Sequence, residues 1–318
     1  MNSTYVVGID VGGQTSKIGV VDARGTVLAQ TVIRTDTYDQ VEPYIAELAE
    51  AVNKLIKESG TEGQVRGIGV GAPNGNYYTG TIENAPNLLW GRKRVEFAKL
   101  LSEAMGGLPV ALTNDANAAA VGEMTYGAAR GMKNFIMITL GTGVGSGIVI
   151  NGDVVYGHDG FAGELGHTAA VRNNGRVCNC GKTGCLETYA SATGVARTAR
   201  EWLELTDEPS VLRNLDKIAS KDVYDAAKEG DKLALKIFDF TGRILGRSFS
   251  DFIAFSAPEA IVLFGGLARA KEFLLAPMEE AMNENLLSLW KGKVKIVFSQ
   301  LKESDAAILG ASALAWEL

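Results

Sequence analysis

FIMITLGTGVGSGIVINGDVV, residues 135–155, decides the fold, because the chain has already used the same order of devices in YVVGIDVGGQTSKIGVVDARGTVL at residues 5–28. Each copy runs through a short apolar segment fit for a buried strand, a Gly-rich turn, a second strand, a tight polar turn and a third strand. The polar turns are Asp22-Ala23-Arg24-Gly25 and Asn151-Gly152-Asp153. Identity between the copies is weak; what repeats is the order. A βββ unit opening each half predicts two related α/β domains that face each other across a cleft, each pointing a Gly-rich turn into it.

The intervening segments fit that plan. Residues 5–10, 17–21 and 26–33 read as strands, and Val41, Ile45, Leu48, Val52, Leu55 and Ile56 follow at helical spacing with Gly60 beyond the end. Residues 65–70 and 109–112 read as further strands, the second entering LTNDANAAAVGE, whose Ala-rich continuation after Asp115 favours a helix. Later strands are expected at 259–264, ending in Gly265-Gly266, and at 294–299. The closing helix, 305–316, has no obvious partner in the second half. The expected division is a smaller N-terminal α/β domain of residues 1–117 completed by 304–318, and a larger one of 118–303.

At 318 residues the length favours roughly two domains. A hydrophobic fraction of 46% and a charged fraction of 21% suit a soluble globular chain. Net charge is -6 and the pI about 5.2. No basic run is present that would track a phosphate backbone, so no nucleic-acid partner is expected. The start, MNSTYVVGID, has neither the charged nor the long apolar region of a secretory signal, and no unbroken apolar stretch has membrane-spanning length. A cytoplasmic protein with no membrane partner is the expectation.

Glycine after a strand lets backbone N–H groups approach an anion closely, so the Gly-rich turns suggest phosphates. GTGVGSG, residues 141–147, resembles a dinucleotide fingerprint but leads into the strand-like SGIVI where a helix should open. The GKT at 181–183 lacks its upstream glycine, since position 176 is Arg, so no Walker A loop exists. Two phosphate-type hairpins and a third Gly-Gly turn after Phe264 describe a triphosphate held between two lobes.

Every cysteine lies in HTAAVRNNGRVCNCGKTGCLE, residues 167–187. Three thiols cannot all pair, and a reducing cytosol would keep them reduced, which leaves metal, catalysis or chance. His167, Cys178, Cys180 and Cys185 form H-x10-C-x-C-x4-C, one imidazole and three thiolates suited to tetrahedral zinc. Asn173-Asn174-Gly175 is a turn signal that lets the chain double back, and Gly181 and Gly184 bracket a knuckle that scattered core cysteines would not share. Four protein ligands close the site, so the metal is expected to be structural.

GTGVGSGIVINGDVVYG, then GELGH, then CNCGKTGCLE, preceded by NDANAAAVGE, make the sequence similar to the ROK family of sugar kinases and related regulators, within the actin-like ATPase superfamily, over essentially its whole length. The resemblance implies two actin-like (ribonuclease H-like) α/β domains flanking a cleft. It also implies ATP-dependent phosphorylation of a hexose at the 6-hydroxyl, with Mg2+, a structural Zn2+ and a homodimer or homotetramer. Glucose is the expected hexose, with N-acetylmannosamine, N-acetylglucosamine and fructose as alternatives.

Residue by residue, the resemblance places Asp10, Gly12, Gly13 and Lys17 at the first phosphate hairpin, with Asp10 near the magnesium ion. Gln14 stands where the family has Thr or Ser, and the neighbouring Thr15 takes over as the hydroxyl. Gly141, Thr142 and Gly143 match the second hairpin, and Gly265 and Gly266 the turn by the adenosine. Asn114 and Asp115 carry the sugar, with Asp115 as the base, although Asp at the start of a helix is also commonly an N-cap. Asn87, Glu164, His167 and Glu187 complete the sugar contacts. Zinc is expected to hold Glu187 and the free face of His167 toward the sugar while leaving the phosphate hairpins alone. Gly71-Ala72-Pro73-Asn74-Gly75 replaces the G-x-P-G of family glucokinases, and His158 reads as a surface or hinge residue. The family's repressors carry an N-terminal helix-turn-helix, for which the four residues before the first strand leave no room. A non-catalytic sensor would be expected to lose Asp10 or Asp115, and both are present.

Overall fold

The structure, a computed structural model, describes residues 5–318. Residues 1–4, and with them the expectation about a preceding DNA-binding module, lie outside the described residues. The first half contains β1 (Tyr5–Val11), β2 (Thr15–Asp22), β3 (Val27–Arg34), α1 (Val41–Glu58) and β4 (Val65–Gly71). A small hairpin of β5 (Gly75–Asn76) and β6 (Thr81–Ile82), then α2 (Phe97–Ala104) and β7 (Val110–Thr113), follow. α3 (Asp115–Tyr126) leads to β8 (Phe135–Leu140), β9 (Val144–Ile150) and β10 (Asp153–Val154). Next come α4 (Glu187–Ala190), α5 (Ala192–Leu205), α6 (Ser220–Lys228) and α7 (Lys232–Ser256). β11 (Ala260–Phe264), α8 (Lys271–Asn285), β12 (Lys295–Phe298) and α9 (Glu303–Leu314) close the chain.

The duplication read from the sequence reappears as topology. One sheet has the order β3-β2-β1-β4-β7 and the other β10-β9-β8-β11-β12. In each, the opening meander is antiparallel and two later strands add in parallel on the far side of the first strand. This is the actin-like α/β arrangement.

Both faces of each sheet are covered, which is why β1 and β8 are almost continuously apolar. Val7, Ile9 and Val11 of β1 pack with Tyr44 and Leu48 of α1 and Phe97 of α2, while Val6 packs on the opposite face with Ile308 and Leu309 of α9. In β8, Ile136, Ile138 and Leu140 meet the helical layer of α5 to α8, and Phe135 and Met137 join Ala120 of α3.

The closing helix does have a counterpart. α9 lies on β1 and β4, and α3 lies on β8 and β9 in the same way, with the two helices packed against each other between the sheets. Helical periodicity could not reveal this pairing, because a helix buried against a sheet on one side and another helix on the other carries no single apolar stripe. The crossing is close: a Cβ on Gly122 of α3 would lie 2.7 Å from Cα of Gly310 in α9. Among the described residues no helix is long and apolar enough to cross a membrane.

The same closeness governs how α9 sits on its sheet, where a Cβ on Gly69 of β4 would lie 1.9 Å from the backbone oxygen of Ala311. Gly69→Ala is therefore expected to push α9 off the sheet and destabilise the protein by about 3 kcal/mol, the upper end of ordinary overpacking. Urea unfolding of the purified variant checks this, and an unchanged midpoint would contradict the packing described.

Candidate active site

Asp10 ends β1 on the cleft side, directly opposite Lys17 in the antiparallel register. Thr15, two residues before Lys17 on β2, shares its face. The turn between the strands, Gly12 to Gln14, is closed by the Gly12 N–H donating to the Thr15 carbonyl at 3.1 Å. Burial, and then the charge of Asp115, push the Asp10 carboxyl up to about 6 against the opposing pull of Lys17. The hairpin also meets the segment carrying Asn87: a Cβ on Gly13 would lie 2.9 Å from the Asn87 carbonyl.

Asn114 and Asp115 divide their work differently from the sequence expectation. Asn114 is the N-cap of α3, its side-chain oxygen accepting from the Asn117 N–H at 2.7 Å. Asp115 is the first helical residue, with Oδ1 accepting from its neighbour's N–H, that of Ala116, at 2.8 Å. The capping role considered for Asp115 thus belongs to Asn114. Asp115 stays open to solvent at the cleft floor, yet the protein walls around it desolvate the carboxyl and hold it above the usual range, against the Ala116 N–H. Asp10, Gly71 and Asp115 face Thr139 and Phe264 across a cavity of about 190 Å3 between the two sheets.

On the second half, GELGH docks on β9. The Ser146 hydroxyl donates to the Gly163 carbonyl and accepts from the Leu165 N–H, so Glu164 and His167 are held on a short turn. The segment just before them touches the first half. Tyr77 of the β5–β6 hairpin stacks on Tyr156 with centroids 4.1 Å apart, the Tyr78 hydroxyl donates to the Gly157 carbonyl at 2.9 Å, and Asn76 donates to that of Asp159 at 2.7 Å. His158 is exposed on this bridging loop.

The ligand atoms of His167, Cys178, Cys180 and Cys185 all lie within 4.8 Å of one another. Cys180 Sγ and Cys185 Sγ are 3.6 Å apart, and Cys178 Sγ is 3.7 Å from His167 Nδ1. A tetrahedral metal with metal–sulfur bonds of about 2.3 Å and metal–nitrogen bonds of about 2.0 Å requires edges of about 3.8 Å and about 3.6 Å, so the four residues fit one. Burial pushes the Cys178 and Cys185 thiols up, Cys185 to about 12, while the Lys182 N–H holds the Cys180 thiol down; a cation here would favour all three as thiolates. His167 Nε2 remains, 4.0 Å from the Glu164 carboxylate.

The knuckle reaches further than the sequence suggests. Glu187 Oε2 accepts from the Val144 N–H at 2.9 Å, while Oε1 lies 3.9 Å from Cys178 Sγ. A Cβ on Gly143 would sit 2.3 Å from that same Oε2. Just beyond, the Ala192 N–H donates to the Gly141 carbonyl at 2.8 Å and the Thr193 hydroxyl to that of Thr142 at 2.8 Å. The chain leaving the knuckle therefore grips the turn at Gly141 and Thr142, which the sequence expectation left unsupported by the knuckle. Arg176 anchors the assembly from behind: its guanidinium pairs with Glu201, donates to the Thr188 carbonyl at 2.8 Å and lies over the Tyr189 ring.

Gly141, Thr142 and Gly266 come together in a second hollow of about 380 Å3. Gly265 follows β11 at φ 106, where a Cβ would lie 2.6 Å from the Leu140 carbonyl oxygen. Lys221 and Tyr224 of α6 and Arg269 also line it. Sequence reasoning missed these three, and no signal marks them, since an amphipathic helix carrying Lys and Tyr on its outer face is ordinary.

The chain matches the ROK family over residues 6–317. It is similar to a glucokinase of Halalkalibacterium halodurans, 40% identical over 285 residues, which cover 88% of this chain and 86% of that one. A ROK family glucokinase from Streptomyces griseus, solved in complex with glucose and AMPPNP, has a similar structure with a TM-score of 0.80 and 31% identity, covering 99% of this chain and 100% of that one. A ROK family transcriptional regulator, a homologue of the E. coli MLC protein, aligns with a TM-score of 0.88 and 28% identity over 99% of this chain and 78% of that one. With the duplicated sheets, the Asp10 and Gly141 hairpins and the His-Cys knuckle all in place across that full-length match, the chain belongs to the ROK family.

Proposed function

We propose that the protein is an ATP-dependent hexose kinase that phosphorylates glucose at its 6-hydroxyl. The observation that carries this reading is Asp115, an uncapped, solvent-open carboxylate at the cleft floor beside Asp10 and facing the second half. The glucokinase relatives supply the substrate class. The Gly71 to Gly75 departure keeps N-acetylhexosamines and fructose as the alternatives, and an ADP-release assay across these sugars separates them.

In the proposed reaction the 6-hydroxyl oxygen attacks the γ-phosphorus of ATP, its proton passes to the Asp115 carboxylate, and ADP leaves with the bridging electron pair. Asn114 uses its amide oxygen as the cap, so it offers the sugar its amino group as donor. Glu164 accepts from sugar hydroxyls, and His167 donates through Nε2. Glu187 keeps one oxygen for the sugar, because the Val144 N–H occupies the other. Gly12, Gly13, Thr15 and Lys17 face the phosphates from one side and Gly141 to Gly143 from the other, with Gly265 and Gly266 by the adenosine. Asp10 would hold Mg2+, which would supply neutralisation of phosphate charge there. Zn2+ would be held by His167 Nδ1, Cys178, Cys180 and Cys185, a closed set that orders the site.

The same proposal divides the chain into lobes of residues 1–117 with 304–318 and of 118–303, and has it self-associate as a homodimer or homotetramer. Unpaired cysteines in a metal knuckle suit a cytoplasmic setting.

Asp115→Asn is expected to fold normally and bind glucose near-normally by calorimetry, while kcat falls by about 10²- to 10⁴-fold, the usual loss for a general base. Because the cap belongs to Asn114, the substitution leaves helix stability nearly untouched. Near-normal turnover would refute the base.

Cys180→Ser is expected to lower the zinc content from one per chain and to weaken both glucose and nucleotide binding, since Glu187 links the knuckle to the Gly143-Val144 peptide. Elemental analysis with two calorimetric titrations decides it. Metal-free protein with full activity would sink the zinc assignment.

A further inference from the structure

The hairpin of β5 and β6 makes contacts that the proposed chemistry does not use. Its turn reaches out of the first half of the chain and touches the loop that follows β10 in the second. Asn76 is the centre of this contact, with 3% of its surface exposed. A buried side-chain amide needs partners for both of its polar atoms, and here they lie on different halves. Oδ1 accepts from the Tyr78 and Thr79 N–H groups at 3.1 and 3.4 Å, which closes the hairpin's own turn. Nδ2 donates to the Asp159 carbonyl at 2.7 Å, which leaves the hairpin altogether. With both amide atoms engaged, Asn76 can act on a ligand only through what it holds.

The receiving loop is shaped for this amide. It closes on itself where the Ala162 N–H donates to the Tyr156 carbonyl at 3.0 Å. Inside it Gly160 stands at φ 91, and a Cβ there would lie 2.5 Å from Asn76 Oδ1, so the backbone conformation and the close approach both demand glycine. Tyr77 stacks on Tyr156 with the rings 4° from parallel, and the Tyr78 hydroxyl donates to the Gly157 carbonyl at 2.9 Å. The loop then runs straight into the turn that carries Glu164 and His167, where the Ser146 hydroxyl holds the Gly163 carbonyl.

The other end of the hairpin is fixed to β7. The Ala72 N–H donates to the Thr113 carbonyl at 3.0 Å, and a Cβ on Gly75 would lie 2.4 Å from that same oxygen. Thr113 immediately precedes Asn114 and Asp115. Asn74, at φ 51, donates through Nδ2 to the Glu83 and Asn84 carbonyls at 3.0 and 3.1 Å, closing the base of the segment that continues to Asn87. The Asn74-Gly75 pair, which departs from the family glucokinase pattern, thus builds the foot of the bridge. One line of close contacts runs from Thr113 through Gly75 and Asn76 to Asp159 and Gly160, and its ends adjoin Asp115 and Glu164.

We propose that Asn76 is a positioning residue for sugar binding: it keeps the Glu164–His167 turn in reach of Asn87 and Asp115, with Tyr77 stacked on Tyr156 as its support. This rests on the hexose-kinase reading, in which Glu164 and His167 contact the sugar hydroxyls.

The test measures glucose and ATP binding by calorimetry, and steady-state kinetics, for the full wild-type chain, Asn76→Asp, Tyr77→Ala and Tyr77→Phe. Asn76→Asp keeps an oxygen for the Tyr78 and Thr79 N–H groups and loses the donor, so the hairpin's turn survives while the bridge does not. Tyr77→Ala removes the stack without adding charge, and Tyr77→Phe retains it. Asn76→Asp and Tyr77→Ala are expected to raise the glucose Kd and KM about five- to tenfold while kcat and the ATP Kd stay within about twofold, the pattern of sugar binding lost equally from ground and transition states. Tyr77→Phe is expected to stay within about twofold of wild type in every constant. Lower thermal stability with an unchanged glucose Kd in Asn76→Asp and Tyr77→Ala would leave the bridge a structural contact and overturn the proposal, as would equal losses for glucose and ATP. The kinase reading fails separately, in the wild-type chain, if that chain neither binds nor phosphorylates glucose, the N-acetylhexosamines or fructose, and the assignment of Asn76 falls with it. Should Asn76→Asp fail to fold, Tyr77→Ala against Tyr77→Phe decides.

Discussion

The contact between α3 and α9 at Gly122 and Gly310 is the constraint on which the rest of the molecule depends. Each helix covers the inner face of one sheet, so the distance between the helices is the distance between the lobes. Only where backbone meets backbone can two helices lie that close, and a close crossing resists sliding while permitting rotation. Along its length α3 starts at Asp115 beside the cavity between the sheets, crosses α9 at Gly122 and ends at Tyr126. A rotation of the lobes is therefore felt at Asp115.

The His-Cys knuckle solves a different difficulty. The loop between His167 and Glu187 has no helix or strand of its own; Val171, Leu186 and Tyr189 dock it on the large core, and its four clustered ligand atoms suit a metal that would order the rest. A line of contacts runs through it from His167 to Cys178, Glu187 and the Gly143-Val144 peptide. Arg176, buried between Glu201 and Tyr189, fastens that line to α5.

Away from the chain crossings, Tyr77 on Tyr156 and the bonds of Asn76 and Tyr78 join loops that belong to separate halves. Aromatic stacking tolerates small rotations, so this bridge can follow a lobe rotation.

Much of this was legible in the residues alone. Period-two apolar runs, Gly-rich turns and the repeated order of devices determined two α/β halves facing a cleft, because strand burial and turn geometry are local properties. The spacing of His167, Cys178, Cys180 and Cys185 determined their clustering for the same reason: the four lie on one short stretch. The tertiary structure alone decided what joins distant segments. That α3 is the counterpart of α9, that Asn114 and not Asp115 caps the helix, that Glu187 spends an oxygen on Val144, and that Lys221, Tyr224 and Arg269 line the Gly141 hollow leave no periodic or compositional mark. Such roles arise from packing between elements far apart in the chain, where no local spacing constrains the sequence and only the close approach of backbones brings the partners together.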